Sequence, residues 1–151
     1  MAHVRTRKGE VMATAATLTS DQTLEAQVAG PAGANRLFVT TGLALFSLIA
    51  ATPAAGVAET RQGTFFVNVG PQLTVQQFRQ AIATASLSGL STNGDVKLNS
   101  WQITGVEAGF DEEAGRVRVE FDALVSVDSA AAGSETTVFG VGIQVTILAA
   151  I

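Results

Sequence analysis

This chain of 151 residues contains no cysteine and no tyrosine, and its one histidine is His3. Without cysteine there is no disulfide, no thiolate nucleophile, no cysteine zinc site and no iron–sulfur cluster. A serine or threonine nucleophile needs a positioned base. His3 stands in an unpatterned start, and neither lysine, Lys8 or Lys97, follows a serine at Ser-x-x-Lys spacing. Charge is also scarce: 15% of residues are charged, against about 25% in an average soluble domain.

The net charge of −4 is uneven. Through Arg61 there are five basic and four acidic residues; from Gln62 onward there are four basic and nine acidic. An acidic surface repels phosphates, which argues against nucleic acid as a partner. No glycine pattern matches a nucleotide loop: Gly140-Val141-Gly142 is followed by strand-like sequence rather than a helix. No Asn-x-Ser/Thr acceptor occurs. These absences predict a protein without catalytic, cofactor or metal residues.

What the chain does have is apolar sequence, 47% of it. Residues 1–20 carry Arg5, Arg7 and Lys8 without apolar periodicity and read as a flexible basic tail, within which Met12 is an alternative start. Residues 19–30 fit a short helix, with Thr19 and Gln22 as a capping box, or a strand, with Leu24, Ala26 and Val28 alternating. Gly30-Pro31 ends that segment.

Residues 37–58 pass without a charge. Three readings compete for the region 21–58. One is a secretory signal, which would make the protein extracytoplasmic or surface-associated. Another is a membrane anchor, although the strongly apolar part is shorter than the roughly 20 residues of a span. The third is buried strands, which would leave a cytoplasmic location open. On the first two readings the folded domain is 59–151.

Within 59–151, residues 64–69 read as a strand between Gly63 and Gly70-Pro71. Residues 74–90 read as a helix. Thr74 and Gln77 form a capping box, Val75, Phe78, Ile82 and Ala85 share one face, and Gly89 stands where a C-cap belongs. Asn93-Gly94 is a turn signal.

Residues 96–128 read as strands. Trp101 and Ile103 have one parity, and Val106, Ala108 and Phe110 the other, so a bulge at Thr104-Gly105 would bring both sets to one face. Asp111–Gly115 is a hairpin turn. From Val117 to Val127 apolar residues alternate with Arg118, Glu120, Asp122 and Ser126. Glu107 and Glu120 would approach each other across this hairpin as part of a solvated face. Asp111, Glu112 and Glu113 lack the ligand spacing of a calcium loop.

The final segment, Thr136–Ile151, carries no charge. Phe139, Val141, Ile143, Val145 and Ile147 alternate on one face, and Gly140 and Gly142 flatten the other. An apolar strand this long is either central in its own sheet or has its edge covered by a second subunit. Those seven residues, Phe139, Gly140, Val141, Gly142, Ile143, Val145 and Ile147, are the candidate interface. Either the helix, a second sheet or a partner must approach the glycines.

The expected fold is α+β: an antiparallel sheet of about five strands with the helix 74–90 packed on it. The alternative is a small β-sandwich or barrel with the helix closing one end. The expected function is that of a non-catalytic, structural or self-associating protein, exported or part of a surface or particle assembly, forming a homo-oligomer through a β-edge. The alternative is an extracytoplasmic binding module for a small apolar or peptide ligand, with membrane contact through 37–58 a further option.

Overall fold

The computed structural model describes residues 12–31, 33–94, 96, 98–129 and 131–151. Among them there is no helix; eight strands form two sheets. The strands are β1 (Thr14–Ala15), β2 (Thr17–Gly30), β3 (Gly33–Ala51), β4 (Glu59–Val69), β5 (Phe78–Asn93), β6 (Leu98–Asp111), β7 (Arg116–Asp128) and β8 (Glu135–Ala150). Sheet I has the order β1-β4-β7-β6, and sheet II the order β2-β3-β8-β5. Only the short β1–β4 pairing is parallel; the other pairs are antiparallel.

The strand β7 shows most directly why the two sheets stack. Val117, Val119, Phe121, Ala123, Val125 and Val127 are all buried, while the residues between them reach the outside. Val117, Val119, Phe121 and Ala123 pack beside Phe65 and Val67 of the adjacent β4 and, across the interior, with Phe38 and Ala44 of β3 and Val141, Val145 and Ile147 of β8. Val125 and Val127 cluster with Ala50 of β3 and Val138 of β8. Phe46, Phe65 and Phe121 form an aromatic cluster whose ring centroids lie 4.2 to 6.1 Å apart. Each such side chain contributes roughly 1.5–3 kcal/mol on burial.

The hairpin β6–β7 follows its local sequence. Asp111 Oδ1 accepts from the backbone N–H groups of Glu113 and Ala114, each at 3.1 Å, and Gly115 takes φ +63°. At the expected bulge the β6–β7 register shifts between Thr104 and Glu107, with Gly105 at φ +60°. Trp101 and Ile103 therefore pair with Val125 and Ala123, and Ala108 and Phe110 with Val119 and Val117. Both sets lie on the inner side, although Trp101 is still 47% exposed at the sheet margin.

The α+β expectation is overturned at 74–90. The capping box does form: the Thr74 N–H donates to Gln77 Oε1 at 2.9 Å, and the Gln77 N–H to Thr74 Oγ1 at 3.3 Å. One turn follows, closed by the Phe78 N–H on the Thr74 carbonyl at 3.1 Å. From Phe78 the chain is strand β5, paired along β8. Two periods coexist in this segment, and the period of two prevails. Ala81, Ala83, Ala85 and Leu87 turn toward the core, while Ile82 is 61% exposed.

Threonine, serine and glycine make a poor helix, and β8 needs a hydrogen-bonding neighbour on this side. Gly89 is no C-cap; it lies in β5 beneath the ring of Phe139. Neither the five-strand sheet with a helix nor a sandwich closed by a helix is present.

Residues 1–11 of the expected tail lie outside the described residues. Thr14–Ala15 and Thr17–Ser20 are in strands. The chain changes sheets at Ala16, whose N–H donates to the Phe66 carbonyl at 2.8 Å. The uncharged run 37–51 belongs to β3, which lies between β2 and β8. Among the described residues no helix is long and apolar enough to cross a membrane.

Candidate functional site

The two sheets present different outer faces. On sheet I, Arg116, Arg118, Glu120, Asp122 and Asp128 of β7 point outward. Arg118 Nη2 bonds Glu120 Oε2 at 3.1 Å, and its guanidinium lies 3.7 Å from the Phe66 ring centroid. The Thr64 hydroxyl donates to Asp122 Oδ1 at 2.6 Å. Glu107 stands in register with Glu120, as its spacing suggests. Like charges directly opposite repel, and Arg118 offsets this beside Glu120. The pair belongs to an open, solvated sheet surface.

Across the middle of sheet II, in the rows from Ala26–Gln80 to Leu43–Ser86, the outward side chains carry no charge. Glu135, on the outward side, lies beyond them at the start of β8, and Asp21 lies in the β2 bulge. Register arranges them in rows across β2, β3, β8 and β5. One row is Leu24, Val39, Thr146, Ile82; the next toward the β2–β3 turn is Ala26, Leu37, Leu148, Gln80. The middle row is Gln22, Thr41, Gln144, Thr84, and beyond it lie Leu43, Gly142 and Ser86. Leu24 is 74% exposed and Ile82 61%. A shallow depression on this face is lined by Leu37, Gln80, Ile82, Thr146 and Leu148.

The charges on these strands sit elsewhere. Glu25 opposes the inward-facing Phe38, and its Oε1 accepts from Arg36 Nε at 2.7 Å. The Arg36 guanidinium lies 4.9 Å from the Phe38 ring centroid. The hydrogen bond from Arg36 lowers the carboxyl pKa of Glu25, and the same bond raises that of Arg36. Arg79 and Glu135 occupy the starts of β5 and β8.

The seven candidate residues of β8 divide between two environments. Val141, Ile143, Val145 and Ile147 are core residues between the sheets. Phe139 does not share their face: it is 43% exposed. The register with β5 shifts at Leu87, Gly89 and Leu90, opposite Val141, Gly140 and Val138. Phe139 and Gly140 thus lie between two inward-facing valines, on the outer side. Gly142 is also outward.

Both hydrogen-bonding sides of β8 are taken within the chain, by β3 and β5, so this strand is not an edge. The long edge strands are β2, β5 and β6, and each carries a register irregularity, a common protection against edge pairing. Among the described residues no helix covers the glycines. A Cβ on Gly142 would have Ser86 Oγ as its nearest neighbour, at 3.6 Å.

Sequence reasoning marked β8 for its lack of charge but missed Leu37, Val39 and Ile82. The signal was there: the outward positions 37–43, 80–86 and 142–148 lack charge, yet only sheet order makes them neighbours. Among the described residues no three His, Asp or Glu side chains group as metal ligands. Searches of protein-family models, curated proteins and solved structures return no match to this chain.

Proposed function

We propose that this chain is a non-catalytic structural protein that works by associating with copies of itself in a surface or particle assembly. The observation carrying this reading is the charge-free middle of the outer face of sheet II, from the row Ala26–Leu37–Leu148–Gln80 to the row Leu43–Gly142–Ser86. Soluble monomers rarely leave a contiguous apolar patch of more than a few hundred Å² open to water. Here leucine, valine, isoleucine and phenylalanine side chains share one four-stranded surface, while the outward charges of β7 gather on the opposite sheet. A subunit whose neutral face is covered needs little charge for solubility, which fits the 15% charged composition.

Sedimentation velocity or light scattering at micromolar concentration tests the proposal. An oligomer is expected, and Ile82→Lys should shift it to a folded monomer. A monomeric wild type would refute the reading. Intact-mass measurement is expected to retain residues 12–58, because they supply β1, β2 and β3; a mature product beginning near Glu59 would leave one side of β8 unpaired.

A second reading, a binding module for a small apolar or peptide ligand, is favoured by the depression at Leu37, Ile82 and Leu148. A thermal-shift screen with apolar ligands distinguishes it, since stabilisation by one of them would place a ligand where self-association places a neighbour.

A further inference from the structure

The outer face of sheet II is uneven in a particular way along β8. On one side of Gln144 stand Thr146 and Leu148; at the same distances on the other side stand Gly142 and Gly140. In β5 the residue paired with Gln144 is Thr84, and it divides Ile82 from Ser86. In β3 the paired residue is Thr41, with Val39 and Leu37 on one side and Leu43 and Leu45 on the other. Near the middle row β8 thus carries larger residues on one side and glycines on the other, and β5 sets Ile82 against Ser86. The strand β3 is large on both sides, and farther along the glycine side the ring of Phe139, 43% exposed, lies over Gly89.

We infer that the partner of this face is the same face of a second copy, packed about a two-fold axis running through the row Thr41–Gln144–Thr84. This inference rests on the self-association reading above and specifies its geometry. A two-fold axis in the plane between two facing sheets, perpendicular to the strands, lays each strand antiparallel over its own copy. With the axis at Gln144, Leu148 lands on Gly140 of the other copy, Thr146 on Gly142, and Ile82 on Ser86. Facing sheets lie about 10 Å apart and interdigitate their side chains. Along β8 the larger residues of one copy face glycine, and along β3 Val39 faces Leu43 and Leu37 faces Leu45 in apolar contact. Gly142 leaves room for Thr146 of the other copy, since a Cβ on it would make only ordinary contact with Ser86, at 3.6 Å from its Oγ and 3.8 Å from its carbonyl oxygen.

The middle row is polar and uncharged. Gln144 meets its own copy there, and an amide, being both donor and acceptor, can bond to an identical amide. The overlap spans roughly 33 Å along the strands and 19 Å across them, on the order of 600 Å² per copy. That reaches the lower range of specific interfaces, about 1,200 Å² in total. The absence of charge on this face lets two copies meet without repulsion despite the net charge of −4.

The test is a swap of large and small within the full chain, read by sedimentation equilibrium, with circular dichroism checking the fold. Gly142→Leu places a side chain against Thr146 of the other copy and should weaken dimerisation roughly 100-fold, since the misfit occurs twice about the axis. Adding Thr146→Gly to Gly142→Leu restores the large-on-small match and should recover most of the affinity.

A wild-type oligomer that is insensitive to Gly142→Leu, or that the double change fails to rescue, overturns the two-fold geometry and leaves self-association standing. A folded wild-type monomer overturns both, including one that co-floats with phosphatidylcholine vesicles.

Discussion

Two adjacent residues of β8 should respond oppositely to the same substitution. Val145 is fully buried between the sheets, and Thr146 faces outward between Val39 and Ile82. Replacing Val145 with lysine forfeits about 1.5–2 kcal/mol of apolar burial. The ammonium must then be buried charged or lose its proton. Deprotonation through a shift of 3–5 pKa units costs about 4–5 kcal/mol at neutral pH, the ceiling being the cost of removing the proton from a lysine of ordinary pKa. The total, about 6–7 kcal/mol, is comparable with the 5–15 kcal/mol that holds a typical domain together. Val145→Lys should therefore be unfolded or barely folded in water.

Thr146→Lys places its charge in solvent on the monomer and should change the stability of the fold by no more than about 0.5 kcal/mol. Urea titration followed by the fluorescence of Trp101, the one tryptophan, together with far-ultraviolet circular dichroism, measures both. The titration is run at a concentration where wild type is monomeric, so that loss of association does not enter. A Val145→Lys variant as stable as wild type, or an unfolded Thr146→Lys variant, would show that the faces of β8 are assigned the wrong way round. The neutral outer surface would then lose its basis.

Other substitutions test separate features. Thr136 is buried and its hydroxyl has no hydrogen-bond partner; Thr136→Val, which keeps the shape and removes the polar atom, should raise stability by about 1 kcal/mol in the same titration. Gly105→Ala should destabilise by about 1–3 kcal/mol, because the backbone is left-handed there and the new Cβ would come within 2.6 Å of Asp122 Oδ2. Because its pKa is lowered in the fold, Glu25 contributes stability that is present above its ordinary pKa and lost as pH falls through the depressed value. The stability difference between wild type and Arg36→Gln should accordingly shrink toward zero in acid, and in high salt, since the pair is exposed.

The candidate surface became legible only when separate stretches were brought side by side. The lack of charge in 37–51 and in 136–150 is plain in the chain, but nothing local says that β3 and β8 are neighbours. Nor does local sequence show that Ile82 joins them. Its spacing with Phe78 and Ala85 suggests a buried helical stripe, whereas pairing with β8 turns Ile82 outward. The same pairing explains why β8, so apolar that an exposed edge seemed possible, has none free.

Where neighbours in sequence decide the outcome, the amino-acid order sufficed. It determined the alternation of β7, the Asp111–Gly115 hairpin, the bulge at Gly105 and the capping-box turn at Thr74, each specified by side-chain period or a few local hydrogen bonds. Tertiary structure decided the strand at Phe78–Asn93, the strands drawn from the first thirty residues, the outward placement of Phe139, and which strands lie at the edges. Those outcomes depend on backbone hydrogen bonds and core contacts between residues far apart in the chain, and a segment with two competing periods takes the one that satisfies its distant partner.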